Sequence, residues 1–134
     1  MDISKQTDPL LHPADRLKNI VRALRGKNGC PWDIKQTPQT LKKYLLEETR
    51  ELAEAIDEAN PQHICEEIGD VYFILTLLTL LFEEENTFTA DDTWDGITQK
   101  MIRRHPHVFA GQQVSSEEEL NAQWKKIKQE EKTK

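Results

Sequence analysis

The segment from Leu46 to Asp70 constrains the fold most strongly, because it predicts two helices joined by a tight turn. Asn60 and Pro61 lie at its centre; asparagine is preferred at the N-cap of a helix and proline at the first helical position. Apolar residues recur at helical spacing on both sides of this turn. They are Leu41, Leu45, Leu52, Ile56 and Ala59 before the turn, and Ile64, Val71, Ile74 and Leu78 after it. The segment is therefore predicted to form an antiparallel helical hairpin.

The predicted hairpin carries two pairs of acidic residues. Glu48 and Glu51 are three residues apart on the first helix, so their side chains stack on one face about one turn apart. Glu67 and Asp70 repeat this spacing on the second helix. The two pairs lie at similar distances from the turn, so an antiparallel hairpin brings them level. Glu48 and Glu67 also fill gaps in the apolar stripes, and we therefore expect the four carboxylates to share a partly dry crevice.

Carboxylates that share such a crevice repel one another and lose hydration. Either some of them are protonated, or a cation lies among them. Oxygen ligands favour a hard ion such as Mg²⁺ or Mn²⁺. The chain has no Glu-x-x-His motif, which weighs against a di-iron carboxylate bundle. An ordinary solvated acidic face on each helix is the alternative.

The length of 134 residues suits one domain with its own core, and 31% charged residues indicate a well-charged surface. We predict an all-α protein, an antiparallel bundle of about four to five helices. The helices are expected near residues 13–25, 38–59, 61–85, 90–104 and 116–130. Residues 12–130 are assigned to the helical domain, residues 1–11 to a flexible tail and residues 131–134 to a frayed end.

The segment from Val71 to Phe82 is apolar nearly all round the predicted helix, which indicates burial on every side. A chain of this length has few other elements to surround it. We therefore expect a second copy to cover one side, in an obligate oligomer that is a homodimer or a dimer of dimers. The same segment is too short to span a bilayer and contains two threonines.

The net charge of −6 argues against nonspecific binding to a nucleic-acid polymer. Cys30 and Cys65 match no metal-binding spacing, and His105 and His107 lack the cysteine partners of a typical zinc site. Free thiols are typical of a reducing compartment, and the first residues do not resemble a signal peptide. These features predict a cytoplasmic protein with no membrane partner.

Two tryptophans and one basic helix end each allow two interpretations. Trp32 lies in a glycine- and proline-rich segment, residues 26–33, predicted to be a loop; it is either a hydrophobic plug or a stacking surface for a base. Trp124 is either a core residue or a ligand contact. Arg103 and Arg104 end a predicted helix, where they either cap its C-terminus or clamp a phosphate.

The acidic segments, residues 47–51 (EETRE) and 67–70 (EIGD), resemble the EExxE…ExxD signature of the MazG family. Members of this family are all-α nucleoside triphosphate pyrophosphohydrolases. Three further segments agree with the family pattern in order: residues 29–33 (GCPWD), 103–109 (RRHPHVF) and 124–128 (WKKIK). Well-known members carry two such domains in one chain, whereas this sequence contains one.

The resemblance implies Mg²⁺-dependent hydrolysis of nucleoside triphosphates to monophosphate and pyrophosphate, in the clearance of unwanted nucleotides. By position, the metal ligands are Glu48, Glu51, Glu67 and Asp70. Glu47 matches the first glutamate of the signature. The resemblance implies that this residue either holds a metal ligand in place without binding the metal itself, or orients water. The resemblance assigns catalytic roles to Glu47, Glu48, Lys100 and Arg104, and substrate binding to Trp32, Lys100, Arg103, Arg104, Trp124 and Lys128.

Two alternatives remain open at this point. The chain could be a relative with one preferred substrate, such as dUTP, dCTP or phosphoribosyl-ATP. It could also be a non-catalytic helical interaction module whose acidic residues bind metal only to stabilise the fold. The sequence does not indicate a base preference, because the shape around Trp32 and Trp124 cannot be read from it.

Overall fold

The computed structural model describes residues 8–133, and within this range all regular secondary structure is helical. The all-α prediction is therefore confirmed, while residues 1–7 of the expected tail lie outside the described range. The helices are α1 (Pro13–Arg25), α2 (Pro31–Ile34), α3 (Pro38–Glu58), α4 (Pro61–Glu84), α5 (Ala90–Arg104), α6 (Pro106–Phe109) and α7 (Glu117–Lys132).

Residues 8–133 thus contain seven helices, not four to five. The additional elements are α2 and α6, which have four residues each and begin with a proline. The expected loop at residues 26–33 therefore includes the start of a helix. Proline fixes its own φ near the helical value, so it can start a helical turn that is too short to show apolar periodicity.

The helical hairpin is formed by α3 and α4, and capping contacts stabilise the start of α3 and the turn between the two helices. Thr37 and Thr40 form a reciprocal capping box at the start of α3. At the turn, Ala59 adopts a left-handed conformation with φ 59°, and the Asn60 side chain accepts hydrogen bonds from the backbone N–H groups of Gln62 and His63. The capping box therefore fixes the start of α3, and the contacts at the turn fix where α3 ends and α4 begins.

The chain divides into two compact units, one ending at Ala90 and one beginning at Asp91. The first unit contains α1 to α4, and α1 packs on α4 beside the α3–α4 hairpin. Its core is built from Val21, Leu41, Leu77, Leu80 and Leu81. Near the turn, the buried side chain of α3 is Ala55, whereas Ile56, which we had assigned to the apolar stripe, is 56% exposed.

Arg25 links three helices of the first unit. Its Nε and Nη2 donate to the two carboxylate oxygens of Glu84 on α4, each at 2.8 Å. Its Nη1 donates to the carbonyl oxygens of Asp33 and Ile34 on α2, at 2.7 and 3.1 Å. A planar guanidinium satisfies this geometry because its donors are arranged in a fixed fork. The segment after α1 is therefore tied to the hairpin.

In the second unit, Ser116 caps α7 by accepting a hydrogen bond from the backbone N–H of Glu119, whose carboxylate in turn accepts from Ser115. This agrees with the capping signal at Ser115 and Ser116 in the sequence. The helix continues to Lys132, two residues beyond its expected end at Glu130.

The apolar face of α4 is not fully covered within one chain. Tyr72 is 56% exposed and Leu75 is 42% exposed, although both lie in the segment expected to be buried on every side. Leu77 of the same helix is fully buried in the core.

Among residues 8–133, no helix is long and apolar enough to cross a membrane.

Two glycines of the first unit, Gly29 and Gly69, can be compared to test how closely the chain packs around each of them. A Cβ at Gly29 would lie 2.2 Å from the carbonyl oxygen of Leu24, where the N–H of Cys30 closes the end of α1 at 2.8 Å. We expect Gly29→Ala to lower the free energy of unfolding by about 1–3 kcal/mol, the usual cost of overpacking. A Cβ at Gly69 meets open space within α4. Gly69→Ala should therefore stabilise the protein by about 0.5–1 kcal/mol, and equal melting curves for the two variants would contradict this packing.

Candidate metal centre

The hairpin brings the two acidic pairs together. One carboxylate oxygen from each of the four side chains can be chosen so that all four atoms lie within 4.8 Å of one another. The side chains are those of Glu48, Glu51, Glu67 and Asp70, which we call the carboxylate group. The i, i+3 spacing on each helix and the antiparallel turn thus produce the predicted meeting.

The carboxylate group has a buried side and an open side. Glu67 is 9% exposed and Glu48 is half-buried, whereas Glu51 and Asp70 are exposed. One buried oxygen of Glu48, Oε2, and one of Glu67, also Oε2, have no hydrogen-bond partner. Buried polar atoms are nearly always paired in folded proteins, so the two unpaired oxygens, which belong to two members of the carboxylate group, are consistent with a divalent cation at this site.

The electrostatics of the group also favour a cation. Burial raises the pKa of Glu48 above its ordinary value, and the neighbouring charges of Glu51, Asp70 and Glu67 raise it further. A divalent ion would compensate the same repulsion. The four donors are carboxylate oxygens, which suit a hard ion such as Mg²⁺ or Mn²⁺. The residues present therefore fit the metal that the sequence predicts.

His63 is a neighbour of the group that the sequence analysis missed. Its Nε2 lies 3.1 Å from Oε1 of Glu67, and its Nδ1 lies 2.9 Å from Oε2 of Glu58. The hydrogen bond to Glu58 is the largest effect that raises the pKa of His63, and Glu67 adds to it. The available signal was the spacing, since His63 lies four residues before Glu67 on one helix.

Two other predicted residues belong to the first unit. Glu47 is half-buried on α3, adjacent to Glu48 and outside the carboxylate group. Trp32 packs against the core and meets Tyr44 edge to face, with ring centroids 5.1 Å apart. Of the two interpretations of Trp32, the hydrophobic plug describes this packing.

In the second unit, two of the predicted substrate-binding residues lie over the ring of Trp124, which is 42% exposed. The Arg104 guanidinium carbon lies 5.8 Å from the ring centroid, and Nζ of Lys128 lies 4.7 Å from it. Arg103 and Arg104 both donate to the carboxylate of Glu131, at 3.1 and 3.0 Å. These hydrogen bonds, chiefly that from Arg104, lower the pKa of Glu131 to about 2.

The remaining candidates of the second unit have separate positions. Lys100 is half-buried on α5, one turn before Arg104. The ring of His105 hydrogen-bonds to the carbonyl oxygen of Met101, and the ring of His107 contacts the Gln123 amide at 3.1 Å. In the range 8–133, the carboxylate group is the one cluster of three or more potential metal ligands, and it includes neither histidine.

The chain is all-α and carries facing carboxylates on a helical hairpin. It therefore belongs to the class of helical proteins that are suited to bind a hard divalent cation. Comparison with known proteins identifies the family. Residues 36–109 match the MazG nucleotide pyrophosphohydrolase domain, and the chain belongs to this family. The matched range contains both acidic pairs and the hairpin turn.

Similar proteins occur in several bacteria. The chain is 48% identical over 128 residues to the uncharacterized protein YabN of Bacillus subtilis. It is 42% identical over 120 residues to the nucleoside triphosphate pyrophosphohydrolase/pyrophosphatase MazG of Thermotoga maritima. It is 39% identical over 122 residues to the nucleoside triphosphate pyrophosphohydrolase of Escherichia coli K12.

These relatives are longer than the chain. The alignments cover 96% of the chain and 26% of YabN, and 90% of the chain and 46% of each of the other two proteins. The crystal structure of a mazG-related protein from Thermotoga maritima matches in size and fold. The two chains superpose with a TM-score of 0.69 at 30% identity, over 86% of this chain and 98% of that one.

Proposed function

We propose that the chain is a Mg²⁺-dependent hydrolase that converts nucleoside triphosphates to monophosphates and pyrophosphate, and so clears unwanted nucleotides. The observation that carries this proposal is the carboxylate group, with two buried oxygens that lack partners. Membership of the MazG family supports it. The proposed metal ligands are Glu48, Glu51, Glu67 and Asp70, with Mn²⁺ as a possible substitute for Mg²⁺.

The charges of the site explain why the reaction depends on metal. A triphosphate brings about four negative charges to a group that is itself acidic, and bound Mg²⁺ would neutralise this charge and activate the attacking water. Water is the nucleophile in this hydrolysis, and cleavage of the anhydride bond between the α- and β-phosphoryl groups releases pyrophosphate from the monophosphate, so no nucleophilic side chain is needed. Glu47, next to Glu48, is proposed to orient the water.

The cationic side chains of the second unit are proposed to bind the nucleotide. Arg103 and Arg104 both donate to the carboxylate of Glu131, and this paired contact with an oxyanion supports a role for the two arginines in phosphate binding. The exposed part of Trp124 offers a surface for base stacking. We assign substrate binding to Lys100, Arg103, Arg104, Trp124 and Lys128, and a catalytic contribution to Lys100 and Arg104, whereas Trp32 is assigned to the packing of the core.

We also propose that the chain assembles as a homodimer or a dimer of dimers. Tyr72 and Leu75 support this proposal, because these two side chains of α4 remain exposed in the single chain. A second copy that packs against α4 would remove these side chains from water.

A panel of nucleotides with product identification tests the proposed activity. The chain should release pyrophosphate and the matching monophosphate from several ribo- and deoxyribonucleoside triphosphates in Mg²⁺. Hydrolysis of dUTP, dCTP or phosphoribosyl-ATP alone would instead identify a specific enzyme. Formation of diphosphate and inorganic phosphate would contradict the proposed bond cleavage. A metal-induced rise in melting temperature with no product from any nucleotide would support the interaction module.

A further inference from the structure

A histidine joins two carboxylates across the turn of the hairpin. Glu58 is the last residue of α3, and His63 lies in the first turn of α4. The two ring nitrogens of His63 face Oε2 of Glu58 and Oε1 of Glu67, at 2.9 and 3.1 Å. The ring is therefore held from both sides, and one of its contacts reaches the most buried member of the carboxylate group.

This contact determines which oxygen of Glu67 remains available. Oε1 is engaged by His63, while Oε2 is buried and has no hydrogen-bond partner. A free glutamate side chain has several rotamers, and a fixed contact on one oxygen restricts them. In metal sites, a hydrogen bond behind a ligand fixes the orientation of that ligand and increases its affinity for the ion.

We propose that His63 is a positioning residue for metal binding: its Nε2 holds Oε1 of Glu67 so that Oε2 faces the cation. Glu58 contributes by holding the opposite side of the imidazole ring. This inference rests on the proposed function, because it presupposes that the carboxylate group binds a divalent ion. A purely structural role is the competing explanation, in which His63 only fastens the end of α3 to the start of α4.

Three substitutions at His63 distinguish these roles. In His63→Gln the amide nitrogen can take the place of Nε2 and keep the contact with Glu67. In His63→Asn the shorter amide can take the place of Nδ1, so the contact with Glu58 is kept and that with Glu67 is lost. His63→Ala loses both contacts. Gln62→Ala changes the adjacent exposed residue of the same helical turn and serves as the matched control.

The measurement is the dissociation constant of Mn²⁺, followed in the full chain by electron paramagnetic resonance of the free ion, on variants shown to be folded by circular dichroism. We expect binding to weaken by about 10- to 100-fold in His63→Asn and His63→Ala. His63→Gln and Gln62→Ala should stay close to the parent. Thermal melting of each variant without metal records the structural contribution separately.

The possible outcomes separate this inference from the proposed function. If the parent does not bind Mn²⁺, both are overturned. If the parent binds Mn²⁺ and each of the three His63 variants binds it as tightly as the parent does, His63 only fastens the turn and this inference alone is overturned. The same conclusion follows if His63→Gln weakens binding as much as His63→Asn, because the contact from Nε2 is then not the one that matters.

Discussion

Replacement of Glu67 by glutamine is expected to lower pyrophosphate release by more than about 100-fold. Altering a residue that only supports a metal ligand already costs about 10- to 100-fold, and Glu67 is proposed as a ligand itself. Glutamine keeps the volume of the side chain and removes its charge. Glu67 is also the most buried member of the carboxylate group, with an oxygen that lacks a partner. A loss of activity at this position therefore reports on the metal rather than on the fold.

The same substitution should have opposite effects on stability with and without metal. Without metal, Glu67 adds a buried charge to a group that contains three other carboxylates. Glu67→Gln should then be at least as stable as the parent, because it removes the repulsion from the three neighbouring carboxylates while its amide oxygen can still accept from Nε2 of His63. At a Mg²⁺ concentration of 100 Kd the parent gains about 2.7 kcal/mol, and the variant gains less because it binds the ion more weakly. Thermal melting of both proteins with and without Mg²⁺ measures this reversal.

Glu66→Gln is the matched control, because Glu66 is the adjacent residue, is exposed and lies outside the carboxylate group. It should leave the activity unchanged and alter stability by less than about 0.5 kcal/mol. Asp70→Asn should abolish activity with a smaller effect on the metal-free protein, because Asp70 is exposed. If Glu67→Gln keeps the parental activity and the parental response to Mg²⁺, Glu67 is not a ligand.

The sequence was sufficient to predict the helices whose limits are marked by local chemistry. Proline and a capping residue mark the starts of α3 and α4, and the bounds of α1 and α5 agree with the expected ranges. The meeting of the acidic pairs was predictable for the same reason, because a short turn fixes the register of two helices. Local signals at known spacing therefore account for the hairpin and for the carboxylate group.

Other features depend on contacts between elements and could not be derived from periodicity. The short helices α2 and α6 have four residues each, fewer than two turns. The sequence predicts a frayed end from residue 131, whereas α7 extends to Lys132 and includes Glu131, which binds two arginines of α5. His63 was missed although its spacing of four residues to Glu67 was a signal, because its other contact, with Glu58, forms only when the turn brings α3 and α4 together.

Removal of the metal is the second large effect that we expect. Without a divalent ion, the carboxylate group repels the triphosphate, and no side chain of the group can neutralise the charge that develops on departing pyrophosphate. Hydrolysis should therefore fall to background in excess chelator. The interaction module predicts a different result, since there the metal affects only stability.

The most direct test is to incubate the chain with a nucleoside triphosphate in Mg²⁺, in excess EDTA, and again after Mg²⁺ is restored. Monophosphate and pyrophosphate are quantified by phosphorus nuclear magnetic resonance, and Glu66→Gln and Glu67→Gln are measured in parallel. We predict both products in equal amounts with Mg²⁺ for the parent and Glu66→Gln, none in EDTA, recovery on restoration, and little product from Glu67→Gln throughout. Full activity of the parent in excess EDTA, or no pyrophosphate from any triphosphate in Mg²⁺, would contradict a metal-dependent pyrophosphohydrolase.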